Sequence, residues 1–277
     1  MRGRAYHHLV MVVVLAMVWS QPAMGRIFIN EVVPRTLVTD VFDTPLEWIE
    51  LFNDGDENFD LEGHFLTDDM HTPRRWRFPS AVVPAKGFLV VYATGGDVVS
   101  QGGIHTSFRL KDGAERLALY SPHGELVDSV SIPRLPGDNS YGRIVDGGQR
   151  WVLFQRPTRQ VPNGGPCMAL DLPTPSWSSP AGVFREQQEL TIVAPDTALV
   201  ARYSKDGSIP SVDSPVVPSP LVLRETTCIK ARFFDERGVG GPVATTTHLK
   251  ADGDYRLPVL SLSAPPASFF DIHTGFI

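Results

Sequence analysis

The sequence has few cysteines, no excess of positive charge and no long stretch of helical pattern. Its 277 residues carry a formal net charge of −6, which argues against nucleic-acid binding because that function normally needs a basic surface. No extended window keeps apolar side chains at helical spacing. In contrast, 24 prolines and 24 glycines are scattered along the chain. This composition is typical of many short strands joined by tight turns, and it predicts an all-β protein.

Sequence motifs for catalysis and metal binding are also missing. There is no Gly-x-Ser-x-Gly elbow, no phosphate-binding loop that ends in Gly-Lys-Ser/Thr, and no pair of histidines at metal-binding spacing. We therefore expect a protein that is not an enzyme and that uses no cofactor.

The first 25 residues have the pattern of an export signal. Arg2 and Arg4 precede an uncharged apolar run from Leu9 to Trp19, and Ala23 and Gly25 are small residues of the kind that a signal peptidase recognises. We expect cleavage after Gly25 and a protein that is secreted or held at the cell surface. No later stretch is apolar enough to cross a membrane, so we expect no membrane span after cleavage.

Two blocks of short strands follow the signal, over residues 26–160 and 183–250. Between them, residues 161–182 are rich in proline and glycine, which do not suit the interior of a sheet. We therefore predict two β-sandwich domains joined by a Pro/Gly-rich linker.

The first block contains Ile-Asn-Glu-Val at 29–32, Glu-Trp-Ile-Glu-Leu-Phe-Asn at 47–53 and Ser-Tyr-Gly-Arg at 140–143. In these and several intervening segments it resembles the lamin-tail domain, an immunoglobulin-like sandwich of nuclear lamins and many exported bacterial proteins. His64 departs from the family, which usually has tryptophan there, and we expect only a small change in packing.

The second block contains Tyr-Ser-Lys-Asp-Gly-Ser-Ile-Pro at 203–210 and a late strand at 226–232. These segments resemble the small sandwich found beside the catalytic domain of chitobiases and hexosaminidases. That sandwich is the non-catalytic part of those enzymes, so the resemblance implies an accessory role.

Residues 257–277 resemble the opening of a CotH-type kinase domain, since they begin with Leu-Pro-Val-Leu-Ser-Leu and end with Thr-Gly-Phe-Ile. So short a segment holds none of the nucleotide-binding or metal-binding positions of a kinase. We expect it to be the truncated start of such a domain.

Two clusters are candidates for ligand binding. Asp54, Asp56, Asn58 and Asp60 alternate like the start of a calcium loop, but Phe59 stands where that loop needs glycine, so a turn with solvated acids is favoured. The other cluster is Arg74, Arg75, Trp76 and Arg77, which could contact a phosphate or a sugar face. Its alternative, which we favour, is a tryptophan packed inward between solvated arginines.

The two cysteines, Cys167 and Cys228, are the remaining candidates. Alternation along the strand places Cys228 on the face of Lys230 and Arg232, which we expect to point to solvent. A disulfide with Cys167 would explain an exposed thiol in an exported protein, and two free thiols are an equal alternative.

These observations favour an exported, non-catalytic binding or positioning protein, with a protein, a glycan or cell-envelope material as its ligand. The alternative is the N-terminal fragment of a CotH-like kinase whose catalytic domain is missing from this chain. A third hypothesis is an adhesin that calcium stabilises.

Overall fold

The computed structural model describes residues 25–34, 47–100, 102–111, 113, 115–136, 138–194, 198–251 and 253. Within them every regular element is a β-strand. The all-β prediction is therefore confirmed, and the strands form two sandwich modules. Most of the predicted export signal and the whole kinase-like segment 257–277 lie outside the described residues.

The first module contains the longer series of strands. These are β1 (Ile27–Val33), β2 (Trp48–Asn53), β3 (Phe59–Asp60), β4 (Phe65–Thr67), β5 (Trp76–Arg77), β6 (Val82–Val83), β7 (Phe88–Tyr92), β8 (Val99–Ser100), β9 (Gly103–His105), β10 (Glu115–Tyr120), β11 (Leu126–Ile132), β12 (Ser140–Arg143), β13 (Trp151–Phe154) and β14 (Cys167–Met168).

Two sheets of the first module face each other across one core. The larger sheet has the order β14-β13-β12-β1-β2-β7-β9-β8, and the smaller has the order β11-β10-β4-β5. Successive side chains of a strand point to opposite faces, so Ile49 and Leu51 of β2 enter the core together. Leu66 of β4 and Leu117 and Leu119 of β10 meet them from the smaller sheet.

A bulge in β1 breaks this alternation. Ile29 pairs with Leu51, but after the register shift Glu31 pairs with Glu50. The extra residue turns Val32 into the core in place of Glu31. It also leaves two glutamates directly opposite each other on the outer face of the larger sheet.

The second module is smaller and is also built only from strands. Its strands are β15 (Ser176–Trp177), β16 (Gly182–Phe184), β17 (Gln188–Leu190), β18 (Ile192–Val193), β19 (Val200–Ser204), β20 (Leu221–Leu223), β21 (Thr227–Phe234) and β22 (Ala244–Lys250). The main sheet has the order β16-β22-β21-β19, and β17-β20 and β15-β18 form two smaller pairs. The core contains Phe184, Leu190, Leu221, Leu223 and Ile229.

Residues 161–182, predicted to be a linker, contribute short strands to both modules. Strand β14 pairs with β13 at the edge of the larger sheet, and β15 pairs with β18 of the second module. Edge positions suit a proline-rich segment because an edge strand leaves some backbone groups without ladder partners.

The two modules are in direct contact. Val152, Phe154 and Ala169 of the first module form an apolar cluster with Val239 of the second. The backbone N–H of Ala169 donates a hydrogen bond to the carbonyl of Gly240 at 2.9 Å. Beside this contact, the Arg150 guanidinium forms an ion pair with the Asp235 carboxylate. We call this contact the inter-module seam.

The prediction that Lys230 and Arg232 of β21 point to solvent is wrong. Lys230 is only 7% exposed and Arg232 only 9%. The Lys230 ammonium donates a hydrogen bond to the carbonyl of Gly207 at 2.8 Å, and the Arg232 guanidinium lies 5.1 Å from the ring centre of Phe234. The turn after β19 covers Lys230, and Gly240 of the second module lies directly beside the Arg232 side chain.

The structure leaves both cysteines as free thiols. Cys167 lies opposite Phe154 in the first module, and Cys228 lies opposite Thr247 in the second. The structure therefore has the alternative of two free thiols, with no disulfide between them. Both thiols are partly buried, and desolvation raises the pKa of Cys167.

Candidate functional site

The acidic residues of the suggested calcium loop do not converge. Asp54 accepts a hydrogen bond from the Arg26 N–H at 2.5 Å, and Asp60 accepts one from the Glu62 N–H at 2.9 Å. Asn58 accepts from the Ala85 N–H at 3.1 Å, and Asp56 lies 3.2 Å from the ammonium group of Lys86. Each side chain thus stabilises its own part of a turn. Across the described ranges, no group of three or more His, Cys, Asp or Glu side chains could hold a metal ion.

The basic cluster of the first module has its tryptophan turned inward. Trp76 is 4% exposed, its ring centre lies 4.6 Å from that of Phe78, and its Nε1–H donates to Asp97 at 2.9 Å. Arg74 lies 5.4 Å from the ring centre of Phe65. A buried ring cannot stack on a sugar, so this geometry agrees with the inward-packed alternative.

All three arginines of this cluster are exposed. The Arg75 guanidinium lies 5.4 Å from the ring centre of Phe108 and 2.6 Å from the Asp68 carboxylate. Arg77 lines a cavity of about 320 Å³ beside Trp76, with the exposed Val98 and Val99 on its rim. This cavity lies between β5 and β8, which are edge strands of the two sheets.

A buried carboxylate cluster, which the sequence did not predict, lies on the outer face of the larger sheet. Its members are Glu31, Glu50 and Asp146, and the first two have no exposed surface. Asn30 bridges Glu50 and Asp146, because its side-chain amide donates a hydrogen bond to Glu50 at 3.4 Å and another to Asp146 at 2.9 Å. The side-chain hydroxyl of Ser140 donates to Glu31.

The chain segment 158–163 closes over these carboxylates through its backbone. The Thr158 N–H donates to Glu31 at 3.0 Å, and the Gln160 N–H donates to Glu50 at 2.6 Å. The Asn163 N–H donates to Asp146 at 3.0 Å. Three carboxyl groups therefore hold the segment that leads from the first module toward the second.

Burial changes the acidity of this cluster. Loss of water raises the pKa of Glu50 from its ordinary value of 4.5 to about 8, and the nearby negative charges of Glu31 and Asp146 add to that effect. Loss of water also raises the pKa of Glu31. The signal in the sequence was present but weak: two polar residues, Asn30 and Glu31, interrupt an otherwise apolar strand.

A larger cavity opens in the second module. It has a volume of about 460 Å³ and lies where β19 ends, between the turn 204–208 and the loop 211–216. Tyr203, Lys205 and Asp206 line it. The family likeness of residues 203–210 was predicted from the sequence, but the cavity was not, because the facing loop 211–216 carries no motif.

Residues 20–134 match the family model described as Lamin Tail Domain. The first module resembles a lamin tail domain. Residues 179–247, in the second module, match the Chitobiase/beta-hexosaminidase C-terminal domain. Both resemblances predicted from the sequence are confirmed, and with them the immunoglobulin-like sandwich fold. A search of curated proteins found no match to the chain.

The carboxylate cluster extends beyond the matched lamin-tail region. Glu31 and Glu50 lie inside it, whereas Asp146 and the segment 158–163 follow it in the chain. In the part of the chain that the structure describes, no helix has the length and apolar character needed to cross a membrane.

Proposed function

We propose that this chain is an exported, non-catalytic protein that binds a ligand outside the cell and holds it in a fixed position. The observation that carries the proposal is the inter-module seam. A hydrogen bond between backbones, an apolar cluster and a partly buried ion pair join the lamin-tail module to the second sandwich. A contact of this kind fixes the orientation of two modules, which a positioning role requires.

The two matched families support the binding part of the proposal. Both matched segments are immunoglobulin-like sandwiches, and such sandwiches present loops and sheet edges as contact surfaces. The step from fold to function is by analogy, because sandwiches host many unrelated functions. The ligand class is a protein, a glycan or cell-envelope material.

Binding can be tested with the chain that starts at Arg26. The purified protein is applied to a glycan array and to immobilised envelope fractions, and captured proteins are identified by mass spectrometry. We expect saturable retention on at least one of these surfaces. Absence of retention on all of them would refute the binding role.

Positioning can be tested by opening the seam. Ala169 is fully buried there, so Ala169→Glu introduces a charge that cannot be solvated without separating the modules. We expect a larger radius of gyration by small-angle X-ray scattering, with both modules still folded by circular dichroism. Val145→Glu, at a position 67% exposed, is the matched control. An unchanged radius in Ala169→Glu would show that the seam does not fix the modules.

Export is a separate part of the proposal. It is based on the basic and apolar pattern of residues 1–25, and it predicts that a full-length chain with a C-terminal tag leaves the cytoplasm with Arg26 as its first residue. Arg2→Glu combined with Arg4→Glu should slow that export. N-terminal sequencing of the processed protein checks the cleavage site.

The kinase alternative depends on residues 257–277, which lie outside the described part of the chain, and it stays a prediction. Sequencing the DNA downstream of this reading frame tests it, since a continuation with nucleotide-binding and metal-binding positions is expected.

A further inference from the structure

The cavity of the second module has walls that the sheet holds in place. The Lys230 ammonium donates a hydrogen bond to the Gly207 carbonyl at 2.8 Å, which anchors the turn 204–208. The Arg202 guanidinium donates to the Ser214 carbonyl at 2.6 Å, which anchors the loop 211–216. Lys230 of β21 and Arg202 of β19 therefore each fix one wall of the cavity to the sheet. A preformed cavity loses little conformational entropy when a ligand binds.

Further hydrogen bonds strengthen each wall. In the turn, the Ser208 hydroxyl and N–H both donate to Oδ1 of Asp206, at 2.6 and 3.0 Å. In the loop, the Ser211 N–H donates to the Ser214 hydroxyl at 2.9 Å. The Tyr203 N–H donates to the Pro215 carbonyl at 3.0 Å, which ties the loop to β19. The volume of about 460 Å³ lies in the range of small-molecule sites, about 300–1,000 Å³.

The lining combines one aromatic ring with several polar groups. Tyr203 packs partly against the core of the second module and partly lines the cavity. The Ser204 hydroxyl donates to the Ser208 carbonyl at 2.5 Å, so its lone pairs remain as acceptors. The Ser214 hydroxyl accepts a bond, so its own O–H remains as a donor. Lys205 and Asp206 are exposed on the rim and add an ammonium donor and a carboxylate acceptor.

This chemistry selects among ligand classes. A purely apolar ligand would remove water from the carboxylate, the ammonium and the hydroxyls without replacing their hydrogen bonds. A simple anion would face the carboxylate of Asp206, whose pKa the bonds from Ser208 hold below its usual range. A sugar ring has an apolar face for an aromatic side chain and hydroxyls that both donate and accept. A sugar can therefore pack against the Tyr203 ring and form hydrogen bonds with the polar rim at the same time.

We propose that this cavity binds a single sugar ring of an extracellular or cell-envelope glycan, with Tyr203 against the ring face and Asp206 and Lys205 on the sugar hydroxyls. The inference rests on the proposed binding function, and it assigns the sugar contact to the second module. The Lys205 ammonium lies over the ring of Tyr203, 5.9 Å from the ring centre, so its flexible side chain moves toward the hydroxyls of a sugar that stacks there.

The test measures sugar binding by the chain that starts at Arg26. The probes are the methyl glycosides of glucose, galactose and N-acetylglucosamine, followed by saturation-transfer NMR and calorimetry. We expect binding of at least one glycoside in the millimolar range, with a Kd at least about tenfold weaker in Tyr203→Leu, which keeps apolar bulk but removes the aromatic face. Asp206→Asn keeps an Oδ1 acceptor for Ser208, so the turn stays intact while the charge is lost. We expect it to weaken binding about three- to tenfold.

Two control variants separate the cavity from other surfaces. Glu189→Gln changes an exposed residue of the second module outside the cavity, and Arg77→Ala changes the cavity of the first module. Both should bind the glycoside like the unaltered chain. Circular dichroism melting of each variant confirms folding, and the Asp206→Asn result decides the case if Tyr203→Leu is unfolded.

The outcomes distinguish this inference from the proposed function. Sugar binding that both cavity variants retain overturns the inference. So does absence of sugar binding in a chain that still binds a protein or an envelope fraction, although the binding role then stands. If the chain binds none of these, both proposals fail.

Discussion

Replacing Glu50 with glutamine should change how the stability of the protein depends on pH. Glu50 is fully buried, and its pKa is raised to about 8 from 4.5 by loss of water. In the folded protein it keeps its proton up to about pH 8, whereas in the unfolded chain it loses the proton near pH 4.5. Between these values the folded state binds the extra proton, so the free energy of unfolding falls as pH rises.

The size of the effect follows from those two pKa values. Each pH unit between them corresponds to about 1.4 kcal/mol, so the whole window corresponds to about 5 kcal/mol. Glu31 lies opposite Glu50 and also has a raised pKa. The unfavourable free energy of ionising this buried pair is therefore divided between the two carboxyl groups. We therefore expect about half of the total, about 2–3 kcal/mol, to disappear in Glu50→Gln.

Urea unfolding followed by tryptophan fluorescence at pH 5 to 9 measures this difference. At pH 5 Glu50→Gln should be less stable by about 1 kcal/mol, because the amide cannot accept from both the Gln160 N–H and the Asn30 side chain. At pH 9 the variant should be the more stable protein. Glu125→Gln, at an exposed position, should give a curve parallel to the unaltered chain.

Only the difference between the curves isolates Glu50. Burial also raises the pKa of Glu115, to about 7, so the unaltered protein loses stability with pH for more than one reason. Parallel curves for Glu50→Gln and the unaltered protein from pH 5 to 9 would refute the reasoning.

Three further predictions concern the core, the thiols and calcium. Leu66→Ala should cost about 2–5 kcal/mol in urea unfolding because Leu66 is fully buried between the sheets, whereas Val99→Ala, at a position 66% exposed, should cost less than about 0.5. Reducing agent should leave the melting temperature unchanged because Cys167 and Cys228 are free, and a drop of several degrees would indicate a disulfide. Millimolar calcium should also leave it unchanged, since the acidic side chains of the turn 54–60 bind separate partners; a calcium-dependent rise would revive the adhesin hypothesis.

Local patterns were sufficient to predict the all-β class and core strands such as β2 and β10, although not the short strands within residues 161–182. The alternation of Ile49 and Leu51 in β2 and of Leu117 and Leu119 in β10 places these side chains in the core, as the period of two requires. The turn at Asp206-Gly207 was also predictable, because Gly207 adopts a positive φ of 83° that glycine tolerates without strain. The family likeness of both modules followed from the order of such segments.

The candidate sites depended on contacts between distant segments. The Tyr203 cavity needs the loop 211–216, which Arg202 anchors, and the facing turn, which Lys230 anchors. Nothing in the local sequence of either wall specifies its partner. The pocket was therefore not predictable, although the residues on one of its walls were.

The sequence by itself determined the fold class, the two family likenesses and the strands whose side chains alternate. Tertiary structure alone decided which polar residues are buried. A one-residue bulge brought Glu31 opposite Glu50, and the turn that contains Gly207 and the segment at Gly240 buried the face of β21 that carries Lys230 and Arg232. The physical reason is that strand alternation is a property of neighbouring residues, whereas burial and pKa depend on what distant segments place against them.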